Sequence, residues 1–187
     1  MIKKIFSDSK ILYRIGIGIF LASAFFLFIP HHPEKPEAKG KYAELIHDGV
    51  LYHIDHALDG DTFVANISGH DVTVRLIGMD TPEVVDPRKP VQCYGPEASA
   101  KGKELLNGKD IYIEKEKAKG DYDIYGRVLA YARFPDGLLY NEYMIKEGYA
   151  REYTFNKEKY KYQSEFKEAQ KQAQKEKRGL WGSCVKK

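Results

Sequence analysis

The chain has 187 residues, 43% hydrophobic and 30% charged, with 16 glycines and 8 prolines. That is the composition of an ordinary globular domain, long enough to bury a real core, which excludes a scaffold that depends on its two cysteines in place of one. Net charge is only +3 but unevenly spread: from Arg151 to Lys187, 11 Lys and Arg face 5 Asp and Glu, whereas the stretch between the basic N-terminus and Arg151 is acidic.

Lys3, Lys4, Lys10 and Arg14 precede an uncharged apolar run from Ile15 to Ile29, the order of an export segment. At about 1.5 Å per residue a helix there covers roughly 22 Å, short of a bilayer's ~30 Å. No small-x-small cleavage pattern follows it, and "PHHPEKPEAKGK" is a polar, proline-rich tether. Residues 1–30 are therefore read as a hydrophobic helix serving as signal-anchor, with its basic end in the cytoplasm. A cleaved signal peptide is the alternative, and both put the rest of the chain outside the cytoplasm. A buried helix of a soluble protein fits less well, because Pro30 and the tether isolate the segment from any core. The domain plan is then 1–30 signal segment, 31–41 tether and 42–187 folded domain.

The folded part opens with strand patterns: "LYHIDHAL", "DTFVANI" and "VTVRLIG", with "SGHD" (Ser68 to Asp71) as a hairpin turn between the last two. "GPEASAKGKELLNGK" is a helix with Pro96 and Glu97 in its first turn and Asn107-Gly108 as its stop. Two further strands, "DIYIEKE" and "RVLAYARF", precede a turn at "FPDG". "LYNEYMIKEGYA" is a second helix, with Asn141 as a cap and Gly148 as terminator, and a long polar third helix runs to Gly179. Five strands and three helices, one inserted between strands three and four, predict an α+β fold built on a five-stranded OB-type barrel.

Chemistry concentrates where strand three stops. In "VTVRLIGMDTPE", Val72, Val74 and Leu76 share one face, so Arg75 projects from the other, and Asp80 follows just past the strand end. Pro82 fixes its own φ and extends Thr81, which limits the freedom of Asp80, the Thr81 carbonyl and Glu83. Upstream, "DGDT" sets Asp59 and Asp61 two residues apart before Thr62. Pairing through the "SGHD" turn brings Asp61 beside Asp80. Alone, "DGDT" reads as an Asx-type turn and "DTPE" as a cap. Together they make an oxygen-only cluster that suits a hard cation such as Ca²⁺ or Mg²⁺ better than Zn²⁺, and whose spacing is not that of an EF-hand.

"DYDIYGR" adds Arg127, with Gly126 allowing close approach to the backbone. Most positive charge here is lysine, so Arg75 and Arg127 beside carboxylates are selective choices, and a guanidinium matches phosphate geometrically. A structural ion pair to a neighbouring Asp is the competing reading for each.

"DGDT", "RLIGMDTPE", "YGPEASA" and "DIYGR", in this order and with "RGLWG" near the end, resemble the staphylococcal nuclease, or thermonuclease, family over about Val50 to Trp181. The resemblance implies a Ca²⁺-dependent phosphodiesterase acting on DNA and RNA. It implies Asp61, Asp80 and the Thr81 carbonyl as metal ligands, with Asp59 and Thr62 in support. It gives Arg75 and Arg127 to phosphate, Glu83 to the attacking water, and Tyr125 to the nucleotide pocket. Tyr153 and Phe155 fill the remaining pocket positions after a one-residue gap, leaving one hydroxyl missing, and Ile124 stands where the family can carry a lysine.

Cys93 and Cys184 are not required by that resemblance; in an exported domain they predict one disulfide, with two free thiols as the alternative. Two function classes follow: a monomeric enzyme would be a Ca²⁺-dependent nuclease tethered at or released from the membrane, whereas the alternative is a non-catalytic OB module that binds nucleic acid or protein. Modules of that kind lose the carboxylates and arginines, and this chain keeps them.

Overall fold

The computed structural model describes residues 42–84, 86–88, 90–116 and 120–184. The readings made for residues 1–41, the hydrophobic helix included, lie outside them. Among the described residues no helix is long and apolar enough to cross a membrane.

In chain order the elements are β1 (Leu51–Ala57), β2 (Thr62–Ile67), β3 (His70–Leu76), β4 (Met79–Asp80), α1 (Gly95–Leu106), β5 (Asp110–Lys115), β6 (Val128–Arg133), α2 (Tyr140–Lys146), β7 (Arg151–Glu152), α3 (Gln163–Lys175) and α4 (Leu180–Ser183). Five strands close a barrel in the order β1-β2-β3-β6-β5, with β1 antiparallel to β5 and β3 parallel to β6. This is the predicted mixed OB-type barrel. Period-two alternation fills its interior: Phe63, Ala65 and Ile67 from β2 meet Val72, Val74 and Leu76 from β3, all buried. A bulge between Ile54 and His56 shifts β1 by one residue, so that Ala57 rather than His56 faces inward.

The β2–β3 register follows from its turn. Ser68 (φ 53°) and Gly69 (φ 85°) are both left-handed, the requirement of a two-residue type I′ hairpin, and pairing runs from Ile67↔His70 to Thr62↔Arg75. That register carries Arg75 to the mouth of the β1–β2 turn.

The same turn is clamped from both sides. A Cβ on Gly60 would lie 2.6 Å from Thr81 Cγ2 and 3.1 Å from the Ala98 carbonyl, so only glycine lets α1 and the Thr81 loop close on "DGDT".

Three features differ from the sequence reading. Asn141 does not cap α2: it is fully buried, accepts from the Ala132 N–H at 3.0 Å and donates to the Ile77 carbonyl at 2.9 Å, tying β6 to the end of β3. Helix α3 ends at Lys175, because Lys177 turns left-handed (φ 53°) while its N–H and that of Arg178 return to the carbonyls of Gln174 and Ala173. The short α4 follows. Finally, β4 and β7 pair as a separate two-stranded sheet, Asp80 opposite Arg151.

Candidate active site

Arg75 is the hub of the site. Its Nη1 lies 3.1 Å from Asp61 Oδ1 and its Nη2 lies 3.0 Å from Asp80 Oδ1, so one guanidinium bridges two carboxylates that are 19 residues apart in sequence. Nη1 also donates to the carbonyls of Leu76 and Met79, at 3.2 and 3.1 Å. The arginine side chain is 14% exposed and Asp61's 8%, whereas that of Asp80 is 52% exposed. The pair is therefore anchored on one side and open on the other.

Both oxygens of Asp61 accept hydrogen bonds. Oδ1 accepts from the Thr62 hydroxyl at 2.9 Å, and Oδ2 accepts from the N–H and hydroxyl of Thr81 at 2.9 and 3.0 Å. Asp59 Oδ1 accepts from the Asp61 N–H at 3.0 Å, which realises the Asx-type turn read from "DGDT". Burial, and then the charge of Asp61, push the Asp59 carboxyl up to about 6. Burial and Asp61 raise Asp80 too, while Arg75 and Arg151 pull it back. The carboxylates repel one another here, and added positive charge would relieve them.

Among the described residues, no three His, Cys, Asp or Glu side chains converge closely enough to hold a metal ion by themselves. The oxygens that could share one are those of Asp61 and Asp80 with the Thr81 carbonyl. This all-oxygen donor set fits a hard cation that takes its other ligands from water and substrate.

Glu83 sits in the loop beyond. Its Oε1 accepts from the N–H groups of Val84 and Asp86, both at 3.0 Å, and its charge reaches Asp80. Its backbone is paired with Gln92: the Glu83 N–H donates to Gln92 Oε1 at 3.1 Å, and the Gln92 N–H donates to the Glu83 carbonyl at 2.9 Å.

Arg127 comes from a tight loop before β6. Asp123 organises it, accepting from the N–H groups of Tyr125 and Arg127 at 2.9 and 3.0 Å and from Arg127 Nε at 2.7 Å. Gly126 (φ 81°) supplies the left-handed residue this turn needs, a more local duty than the close approach read from sequence. The guanidinium of Arg127 lies 5.4 Å from the centre of the Tyr125 ring.

These pieces surround one cleft of about 570 Å³. Arg75, Asp80 and Arg127 line it with Tyr125, Tyr153 and Phe155, and Gly78 and Tyr160 are also in its walls. Ile124, 87% exposed, lies on its rim. Glu83, Asp61 and Thr81 are not among the lining residues; Asp61 reaches the cleft through its contact with Arg75. Cys93 and Cys184 are disulfide-bonded, Cα atoms 5.8 Å apart.

Sequence reasoning missed two residues that shape the surroundings of Arg127 and Asp80. Asp123 was visible in "DYDIYGR", where an Asp followed at i+2 and i+4 by candidate donors before a Gly turn is an Asx pattern. Arg151 stands opposite Asp80 and 5.6 Å over the Trp181 ring. The scarcity of arginine that singled out Arg75 applied to Arg151 equally.

The sequence profile of the family described as "Staphylococcal nuclease homologue" matches residues 73–183. The chain belongs to that family. It is 42% identical over 132 residues to a protein named "Thermonuclease" from Staphylococcus hyicus, covering 71% of this chain and 76% of the relative. The "Thermonuclease" of Staphylococcus intermedius is 40% identical over 133 residues, or 71% and 77% of the two chains. "Endonuclease YncB" of Bacillus subtilis (strain 168) is 39% identical over 129 residues, 68% of this chain and 60% of that protein. The profile match takes in Arg75, Asp80, Glu83 and Arg127 but begins after Asp59 and Asp61.

Proposed function

We propose that this protein is a Ca²⁺-dependent nuclease that hydrolyses phosphodiester bonds of DNA and RNA outside the cytoplasmic membrane. The observation that carries the reading is the shared cleft: two arginines and a carboxylate line it together with three aromatic side chains. Phosphate calls for guanidinium forks, and bases call for exposed rings on which to stack. The names of the relatives, "Thermonuclease" and "Endonuclease", support the same chemistry.

In this reading Asp61, Asp80 and the Thr81 carbonyl would hold the ion, which when bound would supply positive charge to offset that of the phosphate. Arg75 and Arg127 hold the non-bridging oxygens, whose charge rises as a fifth oxygen adds. Each arginine exchanges a carboxylate oxygen for a phosphate oxygen, and the half-exposed Asp80 makes that exchange easy for Arg75 Nη2. Glu83 orients the attacking water and takes its proton. The bond from water oxygen to phosphorus forms and the ester bond breaks; the leaving oxygen takes a proton from solvent, and Glu83 returns its own to solvent. Tyr125, Tyr153 and Phe155 receive the nucleotide.

The Cys93–Cys184 disulfide supports an oxidising compartment, in line with the export reading of residues 1–30. The test is digestion of single- and double-stranded DNA and of RNA with about millimolar Ca²⁺, with Mg²⁺, and with EDTA. Cleavage that needs Ca²⁺ is expected. Full activity in EDTA refutes the metal assignment, and binding without cleavage makes the chain a nucleic-acid-binding module instead.

A further inference from the structure

Glu83 belongs to no helix or strand, yet general-base work demands that it be held still. One residue, Gln92, pairs with both its N–H and its carbonyl. Gln92 brackets it with two hydrogen bonds, side-chain Oε1 accepting from the Glu83 N–H and backbone N–H donating to the Glu83 carbonyl. Both bonds lie at an exposed position, where a lone pair of such bonds opens readily. Here the next residue is Cys93.

From Cys93 the tether runs into the body of the protein. Its partner Cys184 caps α4, whose Leu180 is 2% exposed and donates its N–H to the Gly148 carbonyl at 2.9 Å. Gly148 and Gly179 approach so closely that a Cβ on either would fall 2.3 Å from a backbone oxygen, which seats α4 on the end of α2. On the other flank, Tyr94 is left-handed (φ 67°) and stacks on Tyr149 at 5.7 Å. Gly95 then opens α1 directly against the loop: a Cβ there would lie 2.5 Å from Val84 Cγ1 and 3.2 Å from the Glu83 carbonyl. A continuous path thus joins the packed α2–α4 contact to Glu83 through Cys184, Cys93 and Gln92.

We propose that Gln92 is a positioning residue for Glu83 and that the Cys93–Cys184 disulfide is the anchor that lets it act. The inference rests on the role given to Glu83 above. Gln92 touches neither substrate nor ion; it fixes the backbone from which the Glu83 carboxylate extends. The carboxylate's own bonds to the Val84 and Asp86 N–H groups stay within three residues of Glu83, whereas the Gln92 bonds tie it to the residue before Cys93. A disulfide one residue away also makes turnover depend on oxidation, so the enzyme is best ordered only after leaving a reducing compartment.

The experiment compares the oxidised, full-length wild type with Gln92→Met, which keeps side-chain length and removes the acceptor, and Gln92→Glu, which restores an acceptor oxygen. kcat and KM are measured on DNA with Ca²⁺, and amide hydrogen exchange of Glu83 is followed by NMR without it. Gln92→Met is expected to lower kcat about tenfold or more with KM within about twofold, and to speed Glu83 exchange about tenfold. Gln92→Glu is expected to return the exchange rate to that of the wild type. If circular dichroism finds Gln92→Met unfolded, Cys184→Ser carries the same test from the far end of the tether, with the same kcat loss and faster Glu83 exchange expected. Wild-type kcat, a loss confined to KM, or unchanged Glu83 exchange in the folded variant overturns the proposal. Glu83→Gln, run in parallel, keeps the two readings apart. Wild-type cleavage by that variant removes the role of Glu83, while the exchange data still report whether Gln92 holds the loop.

Discussion

Thr81 donates both its backbone N–H and its hydroxyl to a single oxygen of Asp61, Oδ2, across 20 residues of sequence. The other oxygen of Asp61 meets Arg75 and the Thr62 hydroxyl, so one buried carboxylate joins the β1–β2 turn, the end of β3 and the "DTPE" loop. Removing it takes one of two carboxylates from a poorly exposed guanidinium, which keeps Asp80, and leaves the Thr81 N–H without its acceptor. Asp61→Ala is therefore expected to cost about 2 kcal/mol in denaturant unfolding without added metal. Thr81→Val, which deletes only the hydroxyl, should cost about 1 kcal/mol. Asp61→Asn should fold, with its first functional sign a raised Ca²⁺ requirement. An Asp61→Ala protein as stable as the wild type would show that the carboxylate is not the structural link described.

Arg75 both builds the site and serves it, and kinetics separate the two duties. A lysine in its place keeps the charge but loses the fork that reaches Asp61, Asp80 and two carbonyls at once. Arg75→Lys and Glu83→Gln should each lower turnover by roughly a hundredfold, on the order of 3 kcal/mol, while substrate binding changes far less. Turnover and nucleotide affinity, measured separately on variants with native circular dichroism, decide it. Wild-type turnover in both would make the end of β3 a purely structural feature.

The encounter of Arg75, Asp61 and Asp80 was legible because three independent local rules agree: alternation along β3, a two-residue turn that fixes register, and Pro82 stiffening the residues on either side of it. The β4–β7 pair was not. Two residues carry no periodicity, and that pairing exists only once α2 has brought Arg151 round to Asp80. Asn141 misled for a related reason: its place at a helix start satisfies the local rule for a cap, while tertiary packing uses its amide to join Ala132 to Ile77. Gln92 gave no sequence signal at all, since a glutamine in a loop predicts nothing until Glu83 is laid against it.

Asp123 should matter more for binding than for chemistry. It accepts from both backbone N–H groups that shape the Tyr125–Arg127 turn and pairs with Arg127 Nε. Asp123→Ala frees the turn, so Tyr125 and Arg127 lose their common orientation. The expected outcome is a nucleotide affinity about tenfold weaker, with a loss of stability of about 1–2 kcal/mol. Isothermal titration with a mononucleotide and Ca²⁺ would measure the first and urea unfolding the second. Unchanged affinity would remove this loop from the substrate site.

If residues 1–30 act as an uncleaved anchor, the intact chain should sediment with membranes, and protease added outside cells should release an active domain that begins within "HHPEKPEAKG". Recovery of a processed, soluble protein from the medium would show a cleaved signal instead. An active chain confined to the cytosol would contradict both export readings, and with them the proposed role outside the cell.

The disulfide joins residues 91 apart, from just before α1 to the last described residue. In the loop-entropy picture a link of that span stabilises by up to about 4 kcal/mol, because it restricts the unfolded chain more than the folded one. For a domain of this size that corresponds to a melting temperature lower by roughly 10 °C in the Cys93→Ser, Cys184→Ser double variant. The barrel core, Phe63, Val74, Ile111 and Tyr131 among it, is fully buried by its own strands and helices, so the double variant should still fold. Thermal unfolding of the wild type with and without a thiol reductant should reproduce the same difference, while the double variant should be indifferent to reductant. A wild type whose melting temperature ignores the reductant, with free thiols titrating in the folded protein, would show that Cys93 and Cys184 stand reduced and that the tether behind Gln92 is absent.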